Sequence, residues 1–127
     1  MFIYFAHMSN NKEEHIMKIC ITSQGATLDA LAEERFGRAP FFIIVETDTG
    51  SFDAIENQFA GGSGGVGPKA AQLIMAHKVT ALVSGMVGGN AREVLLAAGI
   101  QLYTYRAGGT VRDALDQFNK KTLEHVA

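Results

Sequence analysis

At Gly61 the hydrophobic pattern of this chain changes period, and that change limits the folds open to it. Before that point the apolar residues come in strand-like runs. Met17-Lys18-Ile19-Cys20-Ile21-Thr22 reads as a buried strand, and Phe41 to Asp48 as a longer one. Thr49-Gly50 is a turn, and Ser51 to Gln58 returns as a third strand antiparallel to the second. After the glycine run the apolar positions take helical spacing. Ala70, Leu73, Ile74 and His77 share one face; so do Ala91, Val94, Leu95 and Ala98, and so do Val111, Ala114, Leu115 and Phe118. Each set follows the i, i+3, i+4, i+7 rule of an amphipathic helix. Thr80 to Ser84 and Gln101 to Tyr105 are short strands between them.

Strands that alternate with helices need crossover connections, so the second half pairs in parallel. The order β-β-β-α-β-α-β-α predicts an α/β fold with a five-stranded mixed sheet and helices on both faces. A ribonuclease H-like three-layer fold has this order. Pro68 fits a first helical position, Asn90 with Glu93 and Thr110 with Asp113 read as capping boxes, and Gly99 stops the second helix. Ligands of open sheets of this type sit beyond the carboxyl ends of the parallel strands.

The chain has 127 residues, enough for one domain. Residues 17–124 form that domain in this reading, and residues 1–16 are an extension outside its core. The net charge of −2 argues against a nucleic-acid partner held by phosphate neutralisation. No apolar run approaches the roughly 20 residues of a membrane span. The single cysteine, Cys20, excludes an intrachain disulfide and a four-cysteine metal site. It sits mid-strand and reads as a buried, inert thiol; a reducing, cytoplasmic setting is the simpler expectation.

Three segments are candidates for holding an anion: Glu34 to Pro40, Gly61 to Pro68, and Ser84 to Ala91. Glycine lets backbone N–H groups approach a ligand, and a helix N-terminus adds unpaired N–H groups and partial positive charge. The candidate ligand-binding residues are Arg35, Phe36, Gly37 and Arg38, then Gly62, Gly64, Gly65 and Gly67, then Gly88, Gly89 and Asn90. The guanidinium groups of Arg35 and Arg38 stay charged and offer several donors in a plane. Phe36 between them also reads as a plug of the core. Arg92, Arg106 and Arg112 lie near helix starts, where a cation is unfavourable unless an anion arrives.

Other chemistries fit less well. Gly62 to Gly67 matches G-x-G-x-x-G in form, but the next strand ends in Ser84-Gly85-Met86-Val87 with no acid for a ribose. Pro68 and Ala70 break the phosphate-loop pattern. The first and fourth strands carry no carboxylates, so a two-metal nuclease lacks its ligands. His77 reads as a helix-end residue, and His7, His15 and His125 fall in tails without ligand spacing. No nucleophile or acid–base set is present, so a binding protein is expected rather than an enzyme.

In order and spacing, several pieces resemble the dinitrogenase iron–molybdenum cofactor biosynthesis family. They are Met17 to Thr22, Arg35-Phe36-Gly37-Arg38-Ala39-Pro40-Phe41-Phe42, the glycine run into Gly67-Pro68-Lys69-Ala70-Ala71, Gly85 to Ala91, and Ala97 through Tyr103 to Ala114. The resemblance covers about residues 17–124. It implies a ribonuclease H-like fold and non-covalent binding of an anionic iron–molybdenum cofactor or its iron–sulfur precursor, with cluster-donor or acceptor proteins as partners. Carriers of this family often place a histidine before the Phe-Gly pair; Arg35 stands there in this chain. Electrostatic holding then replaces direct ligation in this reading. A phosphate- or nucleotide-binding regulator and a protein-interaction module remain as alternatives on the same loops.

Overall fold

The computed structural model describes residues 17–127. The proposed extension, residues 1–16, lies outside the described residues, with His7 and His15. Six strands form one mixed sheet: β1 (Lys18–Ser23), β2 (Phe41–Glu46), β3 (Phe52–Glu56), β4 (Ala81–Ser84), β5 (Gln101–Thr104) and β6 (Glu124–His125). Their spatial order is β3-β2-β1-β4-β5-β6. The three helices are α1 (Val66–Met75), α2 (Gly89–Ala97) and α3 (Val111–Asn119).

The first three strands pair antiparallel, and β1, β4 and β5 pair parallel, as the change of period requires. The sheet has six strands rather than the expected five. β6 is two exposed residues that pair antiparallel with Tyr103 and Thr104 at the edge. So short a polar segment carries no alternation of its own; β5 recruits it.

Alternation along the strands builds two cores. Cys20, Ile44, Leu82 and Leu102 line up across the sheet and face α1 and α2 with Ala70, Ala71, Ile74, Ala91 and Leu95. Ile19, Ile21, Ile43, Val45, Ala81 and Val83 face the other way, towards Val111 and Ala114 of α3. Helices therefore cover both faces, two on one side and one on the other. Full burial of each such Leu, Ile or Val contributes about 1.5–3 kcal/mol.

The registers fix where the loops go. Ser23 at the end of β1 pairs with Phe41 at the start of β2, and Phe41 pairs with Glu56 at the end of β3. Parallel pairing puts the ends of β4 and β5 on that same side. The connections 24–40, 57–65, 85–88 and 105–110 thus all emerge at one end of the sheet, and every helix starts there.

Candidate functional site

Segments 34–36 and 84–86 are zipped together at this end. The Glu34 carbonyl accepts from the N–H groups of Gly85 (2.9 Å) and Met86 (2.6 Å) and from Ser84 Oγ (3.3 Å). Phe36 N–H returns to the Met86 carbonyl at 2.9 Å. A Cβ on Gly85 would meet the Glu34 backbone at 2.9 Å, so only glycine allows this approach. Beneath it, Thr22 Oγ1 donates to the Glu33 carbonyl (2.6 Å) and to Ser84 Oγ (2.9 Å). Both hydroxyls are buried and hydrogen-bonded, as buried polar groups must be.

Asn57 does the same work for the glycine run. It is buried, its Nδ2 donates to the carbonyls of Gly37 (3.0 Å) and Ala39 (2.9 Å), and its Oδ1 accepts from Phe59 N–H (3.1 Å). Thr22 and Asn57 are not among the sequence candidates, and Ser84 enters only as the first residue of a candidate segment. Polar residues that satisfy a neighbouring loop carry no period, so only the fold exposes their role.

The predicted residues divide into two groups. Phe36 is 1 % exposed and stacks on Phe42 with ring centroids 5.4 Å apart; it belongs to the core. Gly37 and Gly67 are packing residues. A Cβ on Gly37 would lie 3.2 Å from Gly67 Cα, and one on Gly67 would lie 3.1 Å from Ala91 Cβ. Gly62 is also tight, against Val66 and the Phe59 carbonyl. Arg38 is a brace: its Nη1 donates to the carbonyls of Ala60 (3.0 Å) and Gly62 (2.7 Å). Arg35 is exposed, but Glu33 engages it through Nε at 3.5 Å and through its backbone N–H at 3.0 Å.

Gly64, Gly65, Gly88 and Gly89 are different. Nothing lies within 4 Å of where their Cβ atoms would be. Gly65 is the N-cap of α1 with φ 65°, and Gly88 is the N-cap of α2. Neither helix has a side-chain cap or an acidic residue in its first turn. Close packing of Gly37, Gly67 and Ala91 brings these two starts side by side. The expected Asn90–Glu93 capping box is absent, because α2 begins at Gly89 and Asn90 is already helical. Pro68 is the third residue of α1, not the first, and still lies in the turn where its missing N–H costs nothing.

The start of α3 has the capping box expected of it. Thr110 Oγ1 accepts from Asp113 N–H (3.1 Å), and Asp113 Oδ2 accepts from Thr110 N–H (3.0 Å). Arg112 pairs with Asp29 at 3.0 Å, and that carboxylate raises its already high pKa. Arg106 lies 3.8 Å from Glu34. Cys20 is fully buried, and desolvation pushes its thiol well above the usual range. His125 stacks on Tyr103, and His77 lies just past α1. Among the described residues no group of three His, Cys, Asp or Glu side chains could hold a metal ion. The donors at this end are backbone N–H groups and guanidiniums, which suit an anion held from outside.

The family model for the dinitrogenase iron–molybdenum cofactor matches residues 17–121. The chain belongs to that family. Its fold is close to that of the apo form of the orange protein from Desulfovibrio gigas. The TM-score is 0.84 at 34% identity, over 89% of this chain and 95% of that one. A putative NifB protein from Thermotoga, assigned to the DUF35 family, is similar with a TM-score of 0.77 and 38% identity, over 87% of this chain and 93% of that one. Among curated proteins none is similar enough to count as a match. Family and relatives point to a cluster- or cofactor-related function. No helix among the described residues is long and apolar enough to cross a membrane.

Proposed function

We propose that this protein binds and carries an anionic metal–sulfur cluster, an iron–molybdenum cofactor or its iron–sulfur precursor, between the starts of α1 and α2. The observation that carries the reading is the pair of adjacent helix N-termini without side-chain caps or first-turn acids. Two such ends present several N–H donors and partial positive charge to one point. The site needs no protein ligand to metal: the cluster is cargo, and its sulfide shell accepts the hydrogen bonds. Gly64, Gly65, Gly88 and Gly89 leave the backbone accessible, while Gly37, Gly62, Gly67, Phe36 and Arg38 hold the loops in place. Arg35 adds charge at the rim. The sheet order supports the ribonuclease H-like frame, with β6 as an edge addition. The cytoplasm and exchange with cluster-donor or acceptor proteins complete the proposal, and no reaction is assigned to the chain. A relative solved in its apo form is, by that word, a protein with something to bind.

The test is anaerobic co-migration with isolated iron–molybdenum cofactor and, separately, iron–sulfur precursor on a sizing column, with metal counted in the protein peak. Gly88→Asp is the decisive variant. Its backbone and the open space around Gly88 accept an aspartate, which caps the helix and places a negative charge where the cluster would sit. Wild-type co-migration with loss in Gly88→Asp, at a melting temperature no lower than that of wild type, supports the reading. No co-migration of either cluster with folded wild-type protein ends it and turns attention to phosphates and nucleotides.

A further inference from the structure

All five arginines of the chain lie in the end loops or in the first turns of helices that start there. Four are already engaged. Arg35 has Glu33, Arg106 has Glu34, Arg112 has Asp29, and Arg38 has two backbone carbonyls. Arg92, in the first turn of α2, is the exception. Among the described residues its guanidinium makes no ion pair and no hydrogen bond, although the residue is half-buried. It lines a cavity of about 220 Å³ between the 84–87 loop and the edge strands. A partly desolvated cation without a partner among the described residues costs free energy, and the chain supplies carboxylates to three of its other arginines at this end and backbone carbonyls to the fourth.

The other walls of that cavity narrow the chemistry. Met86 is pinned by its backbone on both sides, yet it is 57 % exposed. Val87 and Val126 add apolar surface, while Ser84, Tyr103 and Thr104 bring hydroxyls to the β5 side; Ser84 already donates to the Glu34 carbonyl and Tyr103 to Gln101. With the Ser84 and Tyr103 protons committed, a hydrated oxyanion on the Met86 and Val87 side would find few donors beyond Arg92 and Thr104. A sulfide-faced anion is less strongly hydrated, and a methionine sulfur is polarisable enough to pack well against it. The cavity is also smaller than the roughly 300 Å³ lower end of pockets that enclose an organic ligand. It suits one edge of a compact anion whose remainder lies over the two helix starts.

Building on the carrier reading above, we infer that Arg92 is the principal cationic contact of the anion. Met86 and Val87 form the wall that selects a sulfide face over an oxyanion, so the ligand seats towards β5 rather than between Arg35 and Arg38. Arg92 is then a specificity-determining residue that the Arg35–Arg38 motif does not disclose.

The experiment measures anaerobic retention of isolated iron–molybdenum cofactor by wild type, Arg92→Gln, Arg92→Lys, Arg35→Gln, Met86→Gln and, as a control outside the site, Arg112→Gln. Inorganic phosphate serves as the oxyanion probe in a thermal-shift assay. Loss of a charge-assisted contact predicts roughly ten- to hundredfold weaker retention for Arg92→Gln, with partial recovery in Arg92→Lys. Arg35→Gln, which removes a guanidinium already neutralised by Glu33, should cost less. Met86→Gln should weaken retention with the fold intact, and Arg112→Gln should match wild type. Circular dichroism and melting temperature should not change in Arg92→Gln, because that side chain has no partner to lose among the described residues. Equal retention in Arg92→Gln and wild type, or a larger loss in Arg35→Gln, overturns the inference and leaves the carrier reading standing. A phosphate shift that exceeds cofactor binding overturns the sulfide preference. Failure of wild type to retain cofactor overturns the carrier reading itself, and this inference with it.

Discussion

Three helices start at the same end of one sheet, and they start differently. α3 closes its first turn with its own side chains, Thr110 and Asp113, and with Arg112 tied to Asp29. α1 and α2 begin at bare glycines with no cap and no acid in the first turn. The chain can therefore make a full capping box and does so where the helix only has to be stable. At the other two starts, the same donors are left facing outward. A stability criterion alone would have put Ser, Asp or Asn at position 88, at a gain of a few tenths of a kcal/mol over glycine; at position 65 the left-handed backbone itself calls for glycine. The comparison separates a helix end closed by its own side chains from two that no side chain caps.

The contrast can be broken at its base first. Phe36 lies fully buried beneath the uncapped starts, against Phe42. Phe36→Ala should destabilise the domain by about 3–5 kcal/mol, read as a large drop in the urea midpoint. A change under 1 kcal/mol would mean that the seat of α1 and α2 does not depend on this packing.

The next effect concerns Cys20, on the same face. Its thiol is held protonated by burial, so its folded pKa lies above its unfolded one. That contribution is fully present below the ordinary thiol pKa of about 8.5 and is lost as pH rises above it, by roughly 1.4 kcal/mol per pH unit. Urea unfolding of wild type and Cys20→Ala between pH 7 and pH 10 should show the wild type losing ground above that value. Parallel curves would refute the assignment.

Smaller still is Thr110→Ala. Removing the cap of α3 should cost about 1 kcal/mol, with no change in cluster retention, checked by melting and by metal co-migration together. Loss of retention here would erase the distinction between the two kinds of helix start. The smallest stability effect belongs to Gly88→Asp, a gain of a few tenths of a kcal/mol read as a slight rise in melting temperature. Lower stability in that variant would mean that the start of α2 is already satisfied.

Much of the frame was legible in the sequence because it rests on period. The change from strand runs to 3.6-residue spacing gave the antiparallel first half, the parallel second half and most of the buried face of each helix, although His77 and Ala98 fall beyond the helix ends and buried Ala71 lies off the expected face. The strong cap of α3 was legible because Thr110 and Asp113 stand at the right spacing with nothing competing. The same rule failed at Asn90, since the helix is capped at Gly88, two positions earlier. β6 escaped notice because two polar residues at a sheet edge have no pattern. In the candidate site, glycine positions could be read, but their roles could not. Gly37 and Gly67 serve packing and Gly64 and Gly88 exposure, a difference set by neighbours far away in sequence. Arg35 and Arg38 look like the anion contacts on paper. That Glu33 and the Ala60 and Gly62 carbonyls already hold them is a tertiary fact, and so is the lack of a partner for Arg92 among the described residues.

The close approach of Gly67 to Ala91 sets two positive helix ends beside each other. Like charges at short range repel, so the architecture carries an electrostatic penalty that a bound anion would cancel. On the carrier proposal, cargo and fold would then be thermodynamically linked. A ligand at a hundred times its dissociation constant would add about 2.7 kcal/mol to the stability of the protein. Loaded protein would also resist proteolysis better than unloaded protein, so the lifetime of the carrier would follow the supply of what it carries.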